Sequence, residues 1–472
     1  MTIMTRHACR PMWVVALVFS VSISVSHTQA QELARGTVIE KVICQVDAGQ
    51  SYALYLPSTY SPEKRWPILY ALDPGARGRL PVDRFKEASE RHGYIVAGSN
   101  NSRNGPMEVA VAAIRAMLND TRSRFSIDDR RIYFTGFSGG ARLAVAVASS
   151  YTGLVAGVIG SGAGFPPQIK PSATMPFVYF GVAGIEDFNF VEMRRLNRTL
   201  DGLGVVHRFA VFQGGHEWPP QEVCLDAIEW IELQAMRSGI LAQREPFVDA
   251  LFQRAAQTIA ADESAGRVYE AFLGSAALAS DFKGLRDVSA YQRKADQLKG
   301  TRDVQQSSRN ERDEEENQYR WMARLMRLKE NYRTADEREQ VLLELTHAIS
   351  DLRKKAERKE DSADRLIARR VRDQFFVELR QEAANYFESQ DFERAAHSLS
   401  VATQVAPDNP RLFYNLACAL SRGGRRSDAL AALKTAVDKG FADLTSLETD
   451  SDLDQIRKEA AFQRMLASLR SK

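Results

Sequence analysis

Apolar residues in the first half of the chain recur in two kinds of segment that alternate along the sequence. Short runs rich in β-branched and aromatic residues, bounded by Gly, Pro and Ser, are typical of strands. They lie at residues 37–46, 52–57, 67–72, 94–98, 131–135, 153–159, 176–182 and 205–212. Stretches with helical periodicity lie between them, at residues 82–91, 107–123, 141–150, 191–203 and 221–236. This alternation predicts an α/β fold, with a mainly parallel sheet and helices on both faces.

The pattern changes beyond about residue 239, where strand signals vanish and helical periodicity continues. Residues 247–260 and 268–282 predict an antiparallel helix pair. Residues 291–372 are rich in charge and carry an apolar stripe at Leu342, Leu345, Ile349 and Leu352. The spacing of this stripe predicts helix pairing, with a coiled coil as one arrangement. Because the charges are of both signs, they indicate a solvated helical face rather than a binding patch.

The last hundred residues contain an internal repeat with an offset of about 34 residues. Leu379, Ala383, Tyr386, Ala395, Leu399 and Ala402 recur as Phe413, Ala417, Leu420, Ala429, Leu433 and Ala436. This pattern resembles tetratricopeptide repeats. Two such units are too few to stand alone, so they are expected to pack on the preceding helices and on a capping tail, residues 443–469. Either a purely structural stack or a concave groove for a protein partner fits the pattern.

The first 30 residues have the features of a signal peptide. Arg6 and Arg10 precede an apolar run at residues 12–25, and Thr28-Gln29-Ala30 offers small residues at a cleavage site. The run is short for a membrane span, which needs about 20 residues. The sequence therefore predicts export to the periplasm or the medium and no membrane span after cleavage, with an uncleaved anchor as the alternative.

Length and charge set further limits. A chain of 472 residues exceeds one compact core, and its patterns predict four segments. These are a signal peptide at 1–30, an α/β domain at 31–240, a helical region at 241–372, and repeats with a capping helix at 373–472. With 63 Lys and Arg against 60 Asp and Glu, the net charge of +3 gives no strong field for nucleic acid or an anionic membrane.

Three cysteines remain after removal of the signal peptide: Cys44, Cys224 and Cys418. In an oxidising compartment Cys44 and Cys224 could pair, and three buried free thiols are the alternative. No pair of cysteines has the spacing of metal ligands, and neither a metal nor a cofactor is expected.

A candidate nucleophile lies between a predicted strand and a predicted helix. Gly136-Phe137-Ser138-Gly139-Gly140 has the G-x-S-x-G pattern of a nucleophile elbow, in which flanking glycines permit a sharp turn that lifts the serine hydroxyl. The alternative is an ordinary Gly/Ser turn. Because a helix begins behind the serine, its free N–H groups face the reacting atoms.

A serine hydroxyl needs a base, and the base needs an acid to orient it. In a sheet of this type the order along the chain is Ser, then Asp or Glu, then His. His216, on the loop after the last strand, is the histidine that satisfies this order. The loop after the preceding strand contains Asp187, chosen as the acid, with Glu186 in reserve. A surface-loop histidine and an acidic helix cap are the structural alternatives.

Together these motifs, over about residues 35–238, resemble the α/β-hydrolase superfamily, particularly its small esterases akin to polyhydroxybutyrate depolymerases and feruloyl esterases. The resemblance implies Ser138 as nucleophile, His216 as general base and Asp187 as orienting acid. It also implies an oxyanion hole built from the N–H of Gly139 and an N–H of Gly75 or Ala76. Family members usually have His-Gly after the third strand, where this chain has Asp73-Pro74-Gly75.

Substrate contacts are expected from polar loops near the carboxyl ends of the strands. Asn100, Asn101 and Arg103 lie on one such loop, which is either an ordinary turn or a substrate contact, and Trp218 lies beside His216. Only residues 160–175 separate two predicted strands at the place where lids are usually inserted, so we expect an open cleft. Such a cleft suits a bulky or polymeric ester.

The sequence thus predicts an exported serine hydrolase that cleaves carboxylic esters through an acyl-enzyme, joined to a helical module for protein binding or positioning. One alternative is a scaffold with a catalytically weak or inactive hydrolase domain, because Asp73-Pro74 replaces the usual loop start. Another is a serine peptidase that uses the same three residues.

Overall fold

The computed structural model describes residues 33–334, 338–360 and 362–471. The predicted signal peptide, residues 1–30, lies outside these described residues. From Arg35 onward the described chain forms one compact unit. Within the described ranges, no helix has both the length and the apolar character that crossing a bilayer requires.

The first half of the described chain forms one eight-stranded sheet in the order β1-β2-β4-β3-β5-β6-β7-β8. The strands are β1 (Val38–Ile43), β2 (Ser51–Tyr55), β3 (Trp66–Leu72), β4 (Ile95–Ser99), β5 (Ile127–Phe137), β6 (Gly157–Ser161), β7 (Val178–Gly184) and β8 (His207–Phe212). Strand β2 pairs antiparallel with β1 and β4, and all other neighbours are parallel. The carboxyl ends of β3 and β5 to β8 therefore meet at one edge, where open α/β sheets bind ligands.

Four helices connect strands, and a fifth follows the last strand. They are α1 (Arg79–His92), α2 (Met107–Arg124), α3 (Gly139–Ser150), α4 (Phe190–Leu203) and α5 (Gln221–Arg237). Their apolar faces and the strand residues form a buried core that includes Phe85, Tyr133, Phe180 and Trp230. The mainly parallel sheet with connecting helices is the α/β-hydrolase arrangement, and the predicted fold class is confirmed.

The largest differences from the predicted strand boundaries lie at the starts of β5 and β6. Strand β5 begins at Ile127 rather than Arg131, because the intervening Asp128-Asp129-Arg130 is polar and solvent-facing and hides the strand pattern. Ile127 nevertheless pairs with Trp66 beyond a register irregularity. Strand β6 begins at Gly157 rather than Gly153, because Gly153 adopts a positive φ of 82° in a turn.

The second half of the described chain is helical. Its helices are α6 (Glu245–Ser264), α7 (Val268–Asp281), α8 (Ser289–Lys299), α9 (Arg302–Thr334), α10 (Arg338–Ala356), α11 (Ala363–Glu388), α12 (Phe392–Val405), α13 (Pro410–Arg422), α14 (Arg426–Asp438), α15 (Leu444–Thr449), α16 (Asp454–Arg457) and α17 (Ala460–Arg470), with a 3₁₀ turn at Ser451–Leu453. Leu345, Ile349 and Leu352 of the predicted stripe are buried in one core with α9 and α11. The stripe therefore packs against two helices.

The positions of the internal repeat fall in two consecutive helix pairs, α11 with α12 and α13 with α14. The small residues Ala395, Ala402, Ala429 and Ala436 are fully buried, which lets the helices approach closely. The capping tail packs on the same core through Leu453, Ile456 and Phe462. Assignment of these helices to the tetratricopeptide family stays a prediction.

Cys44, Cys224 and Cys418 are free, buried thiols in the described structure. Pairing of Cys44 with Cys224 is therefore absent, and the alternative of separate buried thiols applies. Burial raises the pKa of Cys44 to about 11 and raises the pKa of Cys224 and Cys418 further. At neutral pH all three are protonated and poorly reactive.

Candidate active site

The turn between β5 and α3 places Ser138 at the carboxyl edge of the sheet. Ser138 adopts φ 54° and ψ −120°, a conformation that costs a side-chain-bearing residue about 1–3 kcal/mol. A Cβ at Gly136 would collide with the carbonyl oxygen of Gly140, and one at Gly140 would collide with that of Leu72. The Ser138 N–H donates to the carbonyl of Ser161 at 2.8 Å. These contacts explain why the sharp turn needs both glycines.

Two loops from the neighbouring strands bring an imidazole and a carboxylate to this serine. His216 follows β8, and its Nε2 lies 2.9 Å from Ser138 Oγ. Asp187 follows β7, and its Oδ1 lies 2.9 Å from His216 Nδ1. With Nδ1–H donating to Asp187, Nε2 can accept from the serine hydroxyl. The structure thus brings together the three residues predicted as nucleophile, base and acid.

The imidazole is held between two aromatic rings. The ring centroids of Phe137 and Phe188 lie 4.5 Å and 4.1 Å from that of His216. The His216 side chain keeps 20% of its surface exposed, whereas Asp187 is fully buried. A ligand can therefore approach the serine side of the imidazole while the acid stays shielded from water.

Asp187 lies in the acid loop, defined here as residues 185–189. Burial raises the pKa of Asp187 above its ordinary value, and the hydrogen bonds from His216 and the Asn189 N–H act in the opposite direction. The Asn189 N–H donates to Oδ1 at 2.8 Å, whereas Oδ2 is buried with no hydrogen-bond partner among the described residues. His216 is thus the side chain through which the described structure stabilises the charge.

Glu186, the reserve acid, points away from the imidazole. Its carboxylate oxygens accept from Arg369 Nη1 at 2.6 Å and 2.7 Å, and Arg365 lies at 3.4 Å. Of the two acidic neighbours, the structure brings only Asp187 to His216.

The two backbone donors predicted after β3 are already occupied. The Gly75 N–H donates to Asp73 Oδ1 at 2.8 Å, and the Ala76 N–H donates to the Asp73 carbonyl at 3.1 Å. The structure therefore does not offer them as free oxyanion donors, because the side chain of Asp73 accepts from Gly75 and its backbone carbonyl accepts from Ala76. The Gly139 N–H differs, since it lies at the first position of α3, where no intrahelical acceptor exists.

Asp73 and Trp218 connect two of the loops around the site. Asp73 is buried and accepts from Arg77 Nε at 2.8 Å and from Trp218 Nε1 at 2.8 Å. Burial acts to raise the pKa of Asp73, but the hydrogen bonds from Arg77, Trp218 and the Gly75 N–H outweigh it and hold the pKa below its ordinary value. Trp218, predicted as a substrate contact, is only 3% exposed and instead supports the loop that follows β3.

Asn100 and Asn101 also have structural partners. Asn100 Nδ2 donates to the Glu40 carbonyl at 3.1 Å, and the Asn101 side chain accepts from the Ser51 N–H at 2.9 Å and donates to the Gly49 carbonyl at 3.1 Å. Both amides therefore tie their loop to the β1–β2 hairpin. Arg103 is exposed and forms a backbone bridge with Gly75.

Asn104 is a site neighbour that the sequence prediction missed. Its side-chain amide lies so close to Gly139 that a Cβ there would overlap its Oδ1. Its own N–H donates to the Pro74 carbonyl at 2.9 Å, and no hydrogen bond to its side chain is present among the described residues. The Asn104-Gly105 pair is a turn signal that hid this role. The Asn104 side-chain amide thus lies beside Gly139, the first residue of α3, with its oxygen nearest.

No group of three or more His, Cys, Asp or Glu residues suited to a metal ion occurs within residues 33–334, 338–360 and 362–471.

None of the protein-family models or curated protein sequences compared with the chain matches it. Among solved structures it is similar to S-formylglutathione hydrolase of Staphylococcus aureus, at 14% identity over 39% of this chain and 90% of that chain, with a TM-score of 0.33. Serine hydrolase F of the same organism, a fluorophosphonate-binding protein, is 14% identical over 42% and 99%, with a TM-score of 0.35. The feruloyl esterase module of Clostridium thermocellum is 16% identical over 41% and 85%, with a TM-score of 0.31.

Proposed function

We propose that the chain is a serine hydrolase that cleaves carboxylic esters through an acyl-enzyme on Ser138. One observation carries this proposal: a serine on a strained elbow lies 2.9 Å from an imidazole, and that imidazole lies 2.9 Å from a buried carboxylate. A structural role explains neither the cost of the Ser138 backbone conformation nor an ionisable carboxyl buried at the base of the site.

In the proposed reaction Ser138 Oγ attacks the ester carbonyl while His216 Nε2 takes the hydroxyl proton. The Asp187 carboxylate stabilises the imidazolium that forms. As the tetrahedral intermediate collapses, the bond to the alcohol oxygen breaks and His216 returns the proton to that oxygen. Water then attacks the acyl-enzyme with His216 again as base, releasing the carboxylic acid and restoring Ser138.

The negative oxygen of each tetrahedral intermediate needs donors aimed at it, and each such donor contributes about 3–4 kcal/mol. We assign the Gly139 N–H as one donor. With Gly75 and Ala76 engaged by Asp73, we assign the second donor to the neighbouring Asn104 amide. It would donate through Nδ2, which requires the amide to turn, because Oδ1 is the atom nearer Gly139.

The proposal is tested with a fluorophosphonate probe on the purified chain. We expect wild-type protein to be labelled once per chain and Ser138→Ala to remain unlabelled. Ser150→Ala, at the exposed end of the same helix, is the matched control and should be labelled like wild type. Absence of wild-type labelling would support the inactive-scaffold alternative instead.

A panel of ester and peptide substrates then separates an esterase from a peptidase. We expect hydrolysis of esters, with bulky acyl groups accepted, and no amide cleavage at comparable enzyme concentration. Faster turnover of peptides than of the matched esters would favour the peptidase alternative.

We further propose that residues 1–30 direct export to the periplasm or the medium and that the helical repeats bind a protein partner. The first part is supported by the charged start, the apolar run and the small residues of the segment. Fractionation of cells that produce the chain, with sequencing of its mature N-terminus, tests it; retention in the cytoplasm with Met1 intact would exclude it.

A further inference from the structure

Helices α9 and α11 contact the acid loop at three places. Arg370 of α11 donates from Nε and Nη2 to the Ile185 carbonyl at 2.8 Å and 2.5 Å. Arg369 of the same helix donates to both carboxylate oxygens of Glu186. Gln318 of α9 donates from Nε2 to the Phe188 carbonyl at 3.2 Å. The residues on either side of Asp187 are therefore held by a part of the chain more than a hundred residues away in sequence.

Two of these three contacts are made by buried side chains. Arg370 is 1% exposed and Gln318 is 4% exposed. The Arg370 guanidinium also lies over the ring of Phe190, the first residue of α4, at 4.1 Å from the ring centroid. A planar guanidinium with two nitrogens on one carbonyl fixes direction as well as distance, which an ammonium cannot do.

Arg370 is a buried cation. Burial lowers the pKa of Arg370 to about 10, so it stays charged at neutral pH, and Asp187 is one of the anions, after Glu314, that act against this lowering. Gln318 donates to the carbonyl of Phe188, and the Phe188 ring is one of the two aromatic rings that contact His216.

We propose that Gln318, Arg369 and Arg370, here called the clamp residues, position the acid of the active site, so that the helical half completes the catalytic geometry of the sheet domain. The inference rests on the proposed function, because it concerns the support of the same catalytic side chains, Ser138, His216 and Asp187. The clamp residues touch neither Ser138 nor His216 in the hydrogen bonds of the described structure, so they are positioning residues. Their effect passes through Asp187.

A double-mutant cycle in the full chain tests this route. We expect Arg370→Met to lower kcat about 10- to 100-fold with little change in KM, because a small displacement of the acid misaligns the base. In an Asp187→Asn background the same substitution should change kcat by less than about two-fold, because the group through which it acts is gone. An equal factor in both backgrounds would show a general structural role and overturn the proposal.

Two further variants keep the test decisive if Arg370→Met folds poorly. Arg370→Lys keeps the charge and loses the two-nitrogen contact, so we expect it to remain impaired; wild-type kcat would contradict the proposal. Arg369→Gln should show the same dependence on Asp187 with a smaller factor. Arg372→Gln is its matched control on α11, because the two side chains are 30% and 31% exposed, and it should leave kcat unchanged.

Titration with the fluorophosphonate probe separates the possible failures. The probe counts the chains that have a reactive Ser138, so kcat can be expressed per reactive site. A variant that folds poorly is then not mistaken for one in which Asp187 is misplaced. Wild-type protein that is not labelled defeats the proposed function. If wild-type protein is labelled but Arg370→Met lowers kcat by the same factor in both backgrounds, only the role of the clamp residues is contradicted.

Discussion

Burial of the Asp187 carboxyl disfavours its charged form, so Asp187→Asn is expected to affect activity and stability differently. We expect Asp187→Asn to lower kcat about 10³- to 10⁴-fold at pH 7, because an amide neither fixes the required tautomer nor stabilises imidazolium. Steady-state kinetics with an activated ester measures this effect. A loss smaller than ten-fold would contradict the assigned role.

The same substitution should leave the free energy of unfolding equal or higher at pH 7. The native pKa of Asp187 is raised, so the native state binds its proton more readily than the unfolded state. This group's contribution to stability therefore falls as pH rises from the unfolded pKa, about 3.9, through the native pKa, and the charged form carries the cost at neutral pH. Urea unfolding of both proteins at pH 7 checks the sign.

Asn104 supports a second prediction at this scale. If its amide stabilises the oxyanion, Asn104→Ala lowers kcat about 100-fold or more while KM changes little, because the bond forms only with the tetrahedral intermediate. Asn101→Ala is the control on the same loop, since its amide is engaged by the hairpin. A change in KM alone would place Asn104 in substrate binding instead.

Residue types and spacing were enough to predict Ser138, Asp187 and His216 as neighbours, because a G-x-S-x-G turn and two strand-end loops each have a local pattern. Asp73 shows what local patterns omit. Its carboxylate accepts from the Gly75 N–H, and its backbone carbonyl accepts from the Ala76 N–H; these are the two donors that the resemblance assigned to the oxyanion hole. The carboxylate contact depends on a side-chain rotamer and on Trp218, distant in sequence. Asn104 was missed because Asn104-Gly105 has the pattern of an ordinary turn.

At the scale of elements, α4 and α9 meet through a charged contact. Glu315 of α9 is 3% exposed and accepts from Arg194 Nε at 3.1 Å, Arg195 Nε at 3.2 Å and Arg198 Nη2 at 2.8 Å. Burial acts to raise the pKa of Glu315, but Arg198 and its neighbours outweigh burial and lower the pKa below its ordinary value.

We expect Glu315→Gln to reduce the free energy of unfolding by about 1–3 kcal/mol at pH 7, because it removes the buried carboxylate that the three arginines share. Arg194 would keep its longer contacts with Glu311 and Glu314, and the other two arginines stay partly hydrated. The contribution of the Glu315 charge to stability is present above the pKa of glutamate in the unfolded chain, about 4.3. It is lost as pH falls through the lower pKa of Glu315 in the native protein. Urea unfolding at pH 7 and pH 3 measures both. Glu316→Gln, exposed on the same helix, should have no effect beyond experimental error.

Element types and order followed from hydrophobic periodicity, since strands buried on both faces and amphipathic helices leave strong local patterns. The start of β5 did not, because Asp128, Asp129 and Arg130 face solvent while their backbone extends the strand. The partners of the charged helices were equally hidden: Glu315 and the α4 arginines look like ordinary solvated charges until the fold brings them together.

At the scale of the whole molecule, the helical half bears directly on the sheet domain's site. Residues 162–177 connect β6 to β7 without a helix or strand, and the prediction of an open cleft assumed such a short connection at residues 160–175. That prediction considered insertions within the sheet domain, whereas the acid loop is contacted by α9 and α11 from the later part of the chain. Contacts between segments so far apart have no local sequence signature.

The central claim is that Ser138 becomes acylated during turnover. Acid quenching of the full chain during hydrolysis of an activated ester, followed by digestion and mass spectrometry, tests it directly. We predict the acyl group on the peptide that contains Ser138 in wild-type protein, and none in Ser138→Ala or His216→Ala under the same conditions. Turnover without acylation at Ser138, or acylation at another residue that persists in Ser138→Ala, would contradict the account.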